Sequence, residues 1–183
     1  MIDWFFDNIP DNVKIPYISI GNEVDLVLNG NLEWDQYISF YQQVASYIHT
    51  NYPEIPVGVK TTVMNGVYKN ELSNLQAINQ YSDIVMLNYY PQNDKFEILD
   101  PSSVITHFND IVNYFPDKDI WLTEVGFQSG DNLCNSSKEK QVEFYHHLFT
   151  AWDTVCINRL ASRSISKLNR RMERLLWERP CLS

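Results

Sequence analysis

Two glutamates stand at the ends of apolar runs. Glu23 closes "YISIGNE" (17–23), and Glu124 closes "IWLTE" (120–124), followed by Val-Gly. Carboxylates placed at the ends of two different strands can face one cleft. Cleavage of a glycosidic bond needs such a pair: one protonated carboxyl donates to the leaving oxygen, and one carboxylate stabilises or attacks the anomeric carbon. Carboxyl groups about 5–5.5 Å apart lead to retention through a covalent intermediate, and a wider gap leads to inversion. The donor has to keep its proton, which burial and a neighbouring negative charge both favour.

The elements that must position these residues alternate between strand-like and helix-like patterns. Strands are expected over 16–20, 55–60, 83–87 and 119–123, and amphipathic helices over 32–52, 70–81, 101–115 and 137–155. Residues 1–9 read as the end of an earlier helix. Tyr37, Phe40, Tyr41, Val44, Tyr47 and Ile48 share one helix face, and "NYP" (51–53) stops that helix. Four β→α units with apolar strands call for parallel pairing with right-handed crossovers. The fold class is therefore α/β. Polar and aromatic residues gather at the carboxyl end of each strand: Asn22 and Glu23, Lys60 and Thr61, Asn88 to Tyr90, and Glu124. Chemistry sits on that face in a (β/α)₈ barrel. No Gly-rich phosphate fingerprint follows any strand, which argues against a dinucleotide site.

The chain has 183 residues, 44% of them hydrophobic, and a net charge of −9. That acidity disfavours nucleic acid and anionic membrane as partners. No apolar run reaches the length of a membrane span, and the N-terminal residues show no signal-peptide pattern. Cys134, Cys156 and Cys181 lack the spacing of a zinc site or a disulfide framework. The charge is unevenly distributed. All six arginines lie beyond residue 156, where seven basic residues face two acidic ones, while the preceding residues carry lysine alone as strong base. Two units are therefore expected: 1–156, and a basic tail, 157–183, of frameshifted or foreign origin. The alternative is a basic amphipathic tail with a partner of its own. Ile165, Leu168, Met172, Leu175 and Leu176 have helical spacing within it.

The motifs resemble those of clan A glycoside hydrolases, the (β/α)₈ group with glutamates at the ends of strands four and seven. "ISIGNEVD" resembles the strand-four Asn-Glu motif, "DIVMLNYYPQ" resembles strand six, and "IWLTEVGF" resembles the strand-seven nucleophile motif. The wording is nearest to the endo-β-1,4-galactanase-like family 53 group, with family 5 next. The resemblance covers roughly residues 1–155. It implies a partial TIM barrel of about strands four to seven, parallel strands with helices, followed by a non-homologous helical tail. Strands one to three, the strand-two arginine and strand eight have no counterpart.

Carried over by position, the resemblance makes Glu23 the general acid/base and Glu124 the nucleophile. Asn22 would hold the sugar 2-hydroxyl, and Tyr90, beyond Asn88, would orient Glu124. Asn88, Asp25 and Lys60 join the substrate-binding set, and Trp34 and Phe127 are candidate aromatic walls. The implied activity is retaining, endo-type hydrolysis of a β-linked galactan, mannan or glucan by double displacement, without cofactor or metal, by a truncated enzyme. The alternative is an inactive or carbohydrate-binding remnant. A Schiff-base aldolase using Lys60 is a further rival, and it requires an apolar pocket around that lysine. The expected partner is an oligo- or polysaccharide, with no nucleic acid and no membrane. Oligomeric state is left open. Full-length relatives of this kind are secreted or periplasmic.

Overall fold

The computed structural model describes residues 2–10, 12–130 and 134–155. The tail 157–183, and the helix expected there, lie outside the described residues. The element order is α1 (Ile2–Asp7), β1 (Ile18–Ser19), α2 (Gly30–Asn51), β2 (Val57–Thr62), α3 (Leu72–Asn79), β3 (Ile84–Tyr89), α4 (Ser103–Tyr114), β4 (Asp119–Val125) and α5 (Lys138–Val155). A short 3-10 turn, Val24–Leu26, follows β1, and a π-helical turn, Val63–Val67, follows β2. Neither turn is legible in the hydrophobic pattern.

The four strands form one parallel sheet in the order β1-β2-β3-β4. This is an α/β arrangement of parallel strands alternating with helices, consistent with part of a TIM-like barrel. Each helix carries the chain back along the sheet, as parallel neighbours require. β3 is buried along its whole length, and a strand covered on both faces reads as an unbroken apolar run, here Ile84 to Leu87.

Sequence alternation sorts the sheet into two faces. Val57, Val59, Val85, Leu87, Tyr89 and Ile120 belong to the core shared with the helices. Into that core α2 inserts Trp34, Tyr41 and Ile48, α3 inserts Leu75 and Ile78, α4 inserts Phe108 and Ile111, and α5 inserts Phe144 and Leu148. Gly58 and Met86 share the opposite face: a Cβ on Gly58 would lie 2.8 Å from Met86 Cε. On that face Tyr17, just before β1, meets Trp121 of β4 edge-to-face at 5.2 Å. In a flat sheet the first and fourth strands stand about 14 Å apart. The ring contact fits a concave inner face, which tilts the ends of the two outer strands toward each other.

Between β3 and β4 the register slips. Leu87 pairs with Leu122 but Asn88 pairs with Glu124, leaving Thr123 as an extra residue in β4. Such a bulge re-aims the side chain that follows it. Here that side chain is Glu124.

Candidate active site

The loop after β1 is built on left-handed backbone. Gly21 has φ +92°, and a Cβ there would collide with the Tyr37 hydroxyl and approach Val24 Cγ1 to 2.6 Å. Tyr37 in turn donates to Ile20 O at 3.0 Å. Two residues on, Glu23 adopts φ 51°, ψ 43°, a conformation uncommon for a non-glycine residue. Its carbonyl starts the 3-10 turn by accepting from Leu26 N at 3.0 Å.

Asp25 ties that turn to the end of β2. It is 4% exposed. Its carboxylate accepts from Thr62 N at 2.9 Å, Thr62 Oγ1 at 2.6 Å and Asn65 Nδ2 at 3.3 Å, while its carbonyl accepts from Asn65 Nδ2 at 2.6 Å. Burial raises the Asp25 pKa, and the hydrogen bonds from Thr62 and Asn65 pull it back in part.

Asn88 at the end of β3 donates through Nδ2 to Glu23 Oε1 at 2.9 Å. Two residues later, Tyr90 donates to Glu124 Oε2 at 3.0 Å. The Tyr90 ring lies where Gly126 has no side chain; a Cβ on Gly126 would fall against the ring, 2.8 Å from Cδ1. Partial burial raises the Tyr90 pKa, followed by its hydrogen bond to Glu124 and the charges of both Glu124 and Glu23. The phenol thus stays a donor and feels both carboxylates.

Glu23, Asn88, Tyr90 and Glu124 line one cleft of about 630 Å³, within the size range of small-molecule sites. Thr62, Met64, Asn65, Gln92, Asn93 and Gln128 share its walls. The remaining expected residues stand apart from it. Asn22 is solvent-exposed and outside the lining. Asp25 differs from its expected place in a sugar subsite: it is buried beneath the loop as a clamp. Lys60 is half-buried on β2, also outside the lining, and paired in register with Met86. Trp34 is fully buried, and Phe127, 5% exposed, stacks on Phe144 at 4.5 Å. Both aromatics are core residues rather than walls.

Asn65, Gln92, Asn93, Gln128 and Thr123 escaped the sequence reading. The four amides left a faint signal, an excess just after β2, β3 and β4 in "VMNG", "PQND" and "GFQ", and Thr123 left none. Among the described residues no group of three or more His, Cys, Asp or Glu is arranged to hold a metal ion, and no helix is long and apolar enough to cross a membrane. Cys134 is a free thiol.

No protein-family model matches the sequence, and no curated protein does. Among solved structures, the fold is similar to a β-glucuronidase from Bacteroides uniformis, with a TM-score of 0.54 and 14% sequence identity. The match covers 75% of this chain and 17% of the β-glucuronidase chain. At that identity the likeness is one of fold alone, and nothing in it singles out the family 53 group.

Proposed function

We propose that this chain carries the catalytic face of a retaining glycoside hydrolase acting on a β-linked polysaccharide. In this reading Glu124 attacks the anomeric carbon while Glu23 protonates the departing glycosidic oxygen. Water, deprotonated by Glu23, then releases the sugar from Glu124, so one proton leaves and one returns. The single observation behind the reading is that both glutamates line one cleft at strand ends, each held by a donor from β3 or the residue after it: Asn88 for Glu23 and Tyr90 for Glu124. Donors that hold a carboxylate in one rotamer keep it near attack geometry. The proposal treats residues 1–156 as the glycosidase unit and the tail from 157 as a separate segment.

The test assays the full chain on β-1,4-galactan, β-mannan and β-glucan beside Glu124→Ala and Glu23→Ala. Loss of hydrolysis in both variants, with azide restoring turnover to Glu124→Ala as a glycosyl azide of inverted configuration, supports the assignment. Undiminished hydrolysis in either variant overturns it. Binding of these glycans without turnover by the parent chain favours the carbohydrate-binding remnant instead.

A further inference from the structure

Phe96 sits where a phenylalanine is hard to explain by folding alone. Its backbone has φ 61°, and the residue is 62% exposed. Left-handed backbone disfavours a residue with a large side chain, and burial of the ring does not compensate here. Phe96 has no ring partner among the described residues, yet it lines the same cleft as Glu23 and Glu124.

The loop that carries it is firmly built. Asn93 N donates to Glu97 O, Phe96 N donates to Asn93 O, and Asn93 Oδ1 accepts from both Lys95 N and Glu97 N, all between 2.9 and 3.1 Å. Gln92 bridges to Ile98, and Leu99 N reaches back to Pro91 O at 2.9 Å. Asp94, beside the ring in sequence, pairs with Lys69 across the cleft rim. A pinned loop presenting an exposed ring on strained backbone is pre-organised for a ligand.

Charge narrows the ligand. The lining carries the carboxylates of Glu23, Asp94 and Glu124 against one cation, Lys69, which Asp94 already engages. Such a cleft repels an anionic sugar. Of the amides in the wall, Asn93 is spent on its own loop and Gln128 on Gln92 and Cys134. Asn65 Oδ1 and Gln92 Nε2 remain as an acceptor and a donor for neutral hydroxyl groups.

We propose that Phe96 is the stacking platform of a subsite for a neutral β-linked hexopyranose, one face of the sugar lying on the ring and its hydroxyls meeting the amide wall. This deepens the glycosidase reading and rests on it.

Titration calorimetry on the full chain in a Glu124→Gln background tests the platform, with β-1,4-galactotetraose, mannotetraose, cellotetraose and a glucuronic-acid-capped tetraose as probes. At least one neutral tetraose is expected to bind more tightly than the acidic one. Phe96→Ala should weaken that neutral tetraose about tenfold, the loss of one half-buried ring face, and Phe96→Trp should restore it. Phe96→Gly should lose the same affinity while its melting temperature rises, because glycine relieves the backbone; a purely structural role for the ring would not part the two readouts that way. Binding within about twofold of the parent for Phe96→Ala overturns the platform while leaving the glycosidase reading standing. Tighter binding of the acidic tetraose overturns the neutral-sugar assignment. Failure of the parent to bind any of the probes removes both.

Discussion

Thr123 donates its hydroxyl hydrogen to Asn88 Oδ1 at 2.6 Å. Together with the bond from Asn88 Nδ2 to Glu23 Oε1 at 2.9 Å, it holds the Asn88 amide at both of its ends. The residue left over by the β4 bulge is the one bonded to the amide, so a local slip in register is linked to Glu23 through a chain of two hydrogen bonds. Thr123→Val keeps the shape and removes the donor. It should lower kcat for glycan hydrolysis about tenfold with KM nearly unchanged, and Asn88→Ala should lower it about a hundredfold. The double variant should be no worse than Asn88→Ala, because both residues act through one carboxylate. Steady-state kinetics on the three single and double variants checks this; additive losses would break the chain apart.

Gly126 and Tyr90 form a second dependent pair. The tyrosine ring needs the space that a side chain at 126 would take, and its hydroxyl holds Glu124. Gly126→Ala should therefore mimic Tyr90→Phe, each losing about 10- to 100-fold in kcat. Tyr90 lines the cleft and is 37% exposed, so the thermal midpoint should move by no more than about 3 °C. An alanine variant with parental kcat would show that the ring does not depend on the gap.

Much of the framework was legible because its signals are collective. Apolar spacing in Tyr37 to Ile48 and in Val104 to Val112 marked α2 and α4 to within two residues at either end, and the uninterrupted run at 84–87 marked the central strand. The aromatic and acidic residues at strand ends also stood out, and Glu23, Asn88, Tyr90 and Glu124 do share a cleft. Features that depend on a single backbone torsion or on one slipped residue were not legible. Nothing in "GNEVD" announces that Glu23 turns left-handed or that Asp25 is buried. Phe96 was likewise invisible, because a ring in a polar loop carries no periodic signature until its torsion is known. Phe127 misled for the opposite reason: it follows Glu124 closely, but strand alternation turns it toward α5.

Asp25 should matter for stability as well as for the site. Asp25→Asn replaces an acceptor with an amide whose NH₂ confronts the donors of Thr62 and Asn65 in a buried space. The expected cost is about 2 kcal/mol, a fall of about 6 °C in Tm. Thr62→Val removes one of the same donors and should cost about 1 kcal/mol. Combined, the two should cost less than the sum, as groups in one network do. Denaturant melts of the three variants measure the coupling, and strict additivity would argue that Asp25 and Thr62 do not share a network.

His107 should make the fold acid-sensitive. It is 8% exposed on α4, its Nδ1 meets the Tyr89 hydroxyl of β3 at 2.7 Å, and the Tyr68 ring covers it at 4.8 Å. Burial lowers its pKa below the ordinary histidine value, and the charge of Asp110, the acid facing it from its own helix, opposes that only in part. The sign follows from proton counting. Between the depressed folded value and the unfolded value of about 6.5, the unfolded chain binds more protons than the folded one, so stability rises with pH across that window. As pH falls below about 6.5 the fold should therefore lose stability, by at most about 1.4 kcal/mol per pH unit for this one proton, levelling off below the folded value. His107→Gln retains a hydrogen-bonding partner for Tyr89 but does not titrate. Urea unfolding at pH 7.5, 6.5 and 5.5 should show a shallower decline for the variant than for the parent. Equal slopes would mean that His107 takes up its proton as readily in the folded chain as in the unfolded one, and that Tyr89 and Tyr68 do not shield it from water.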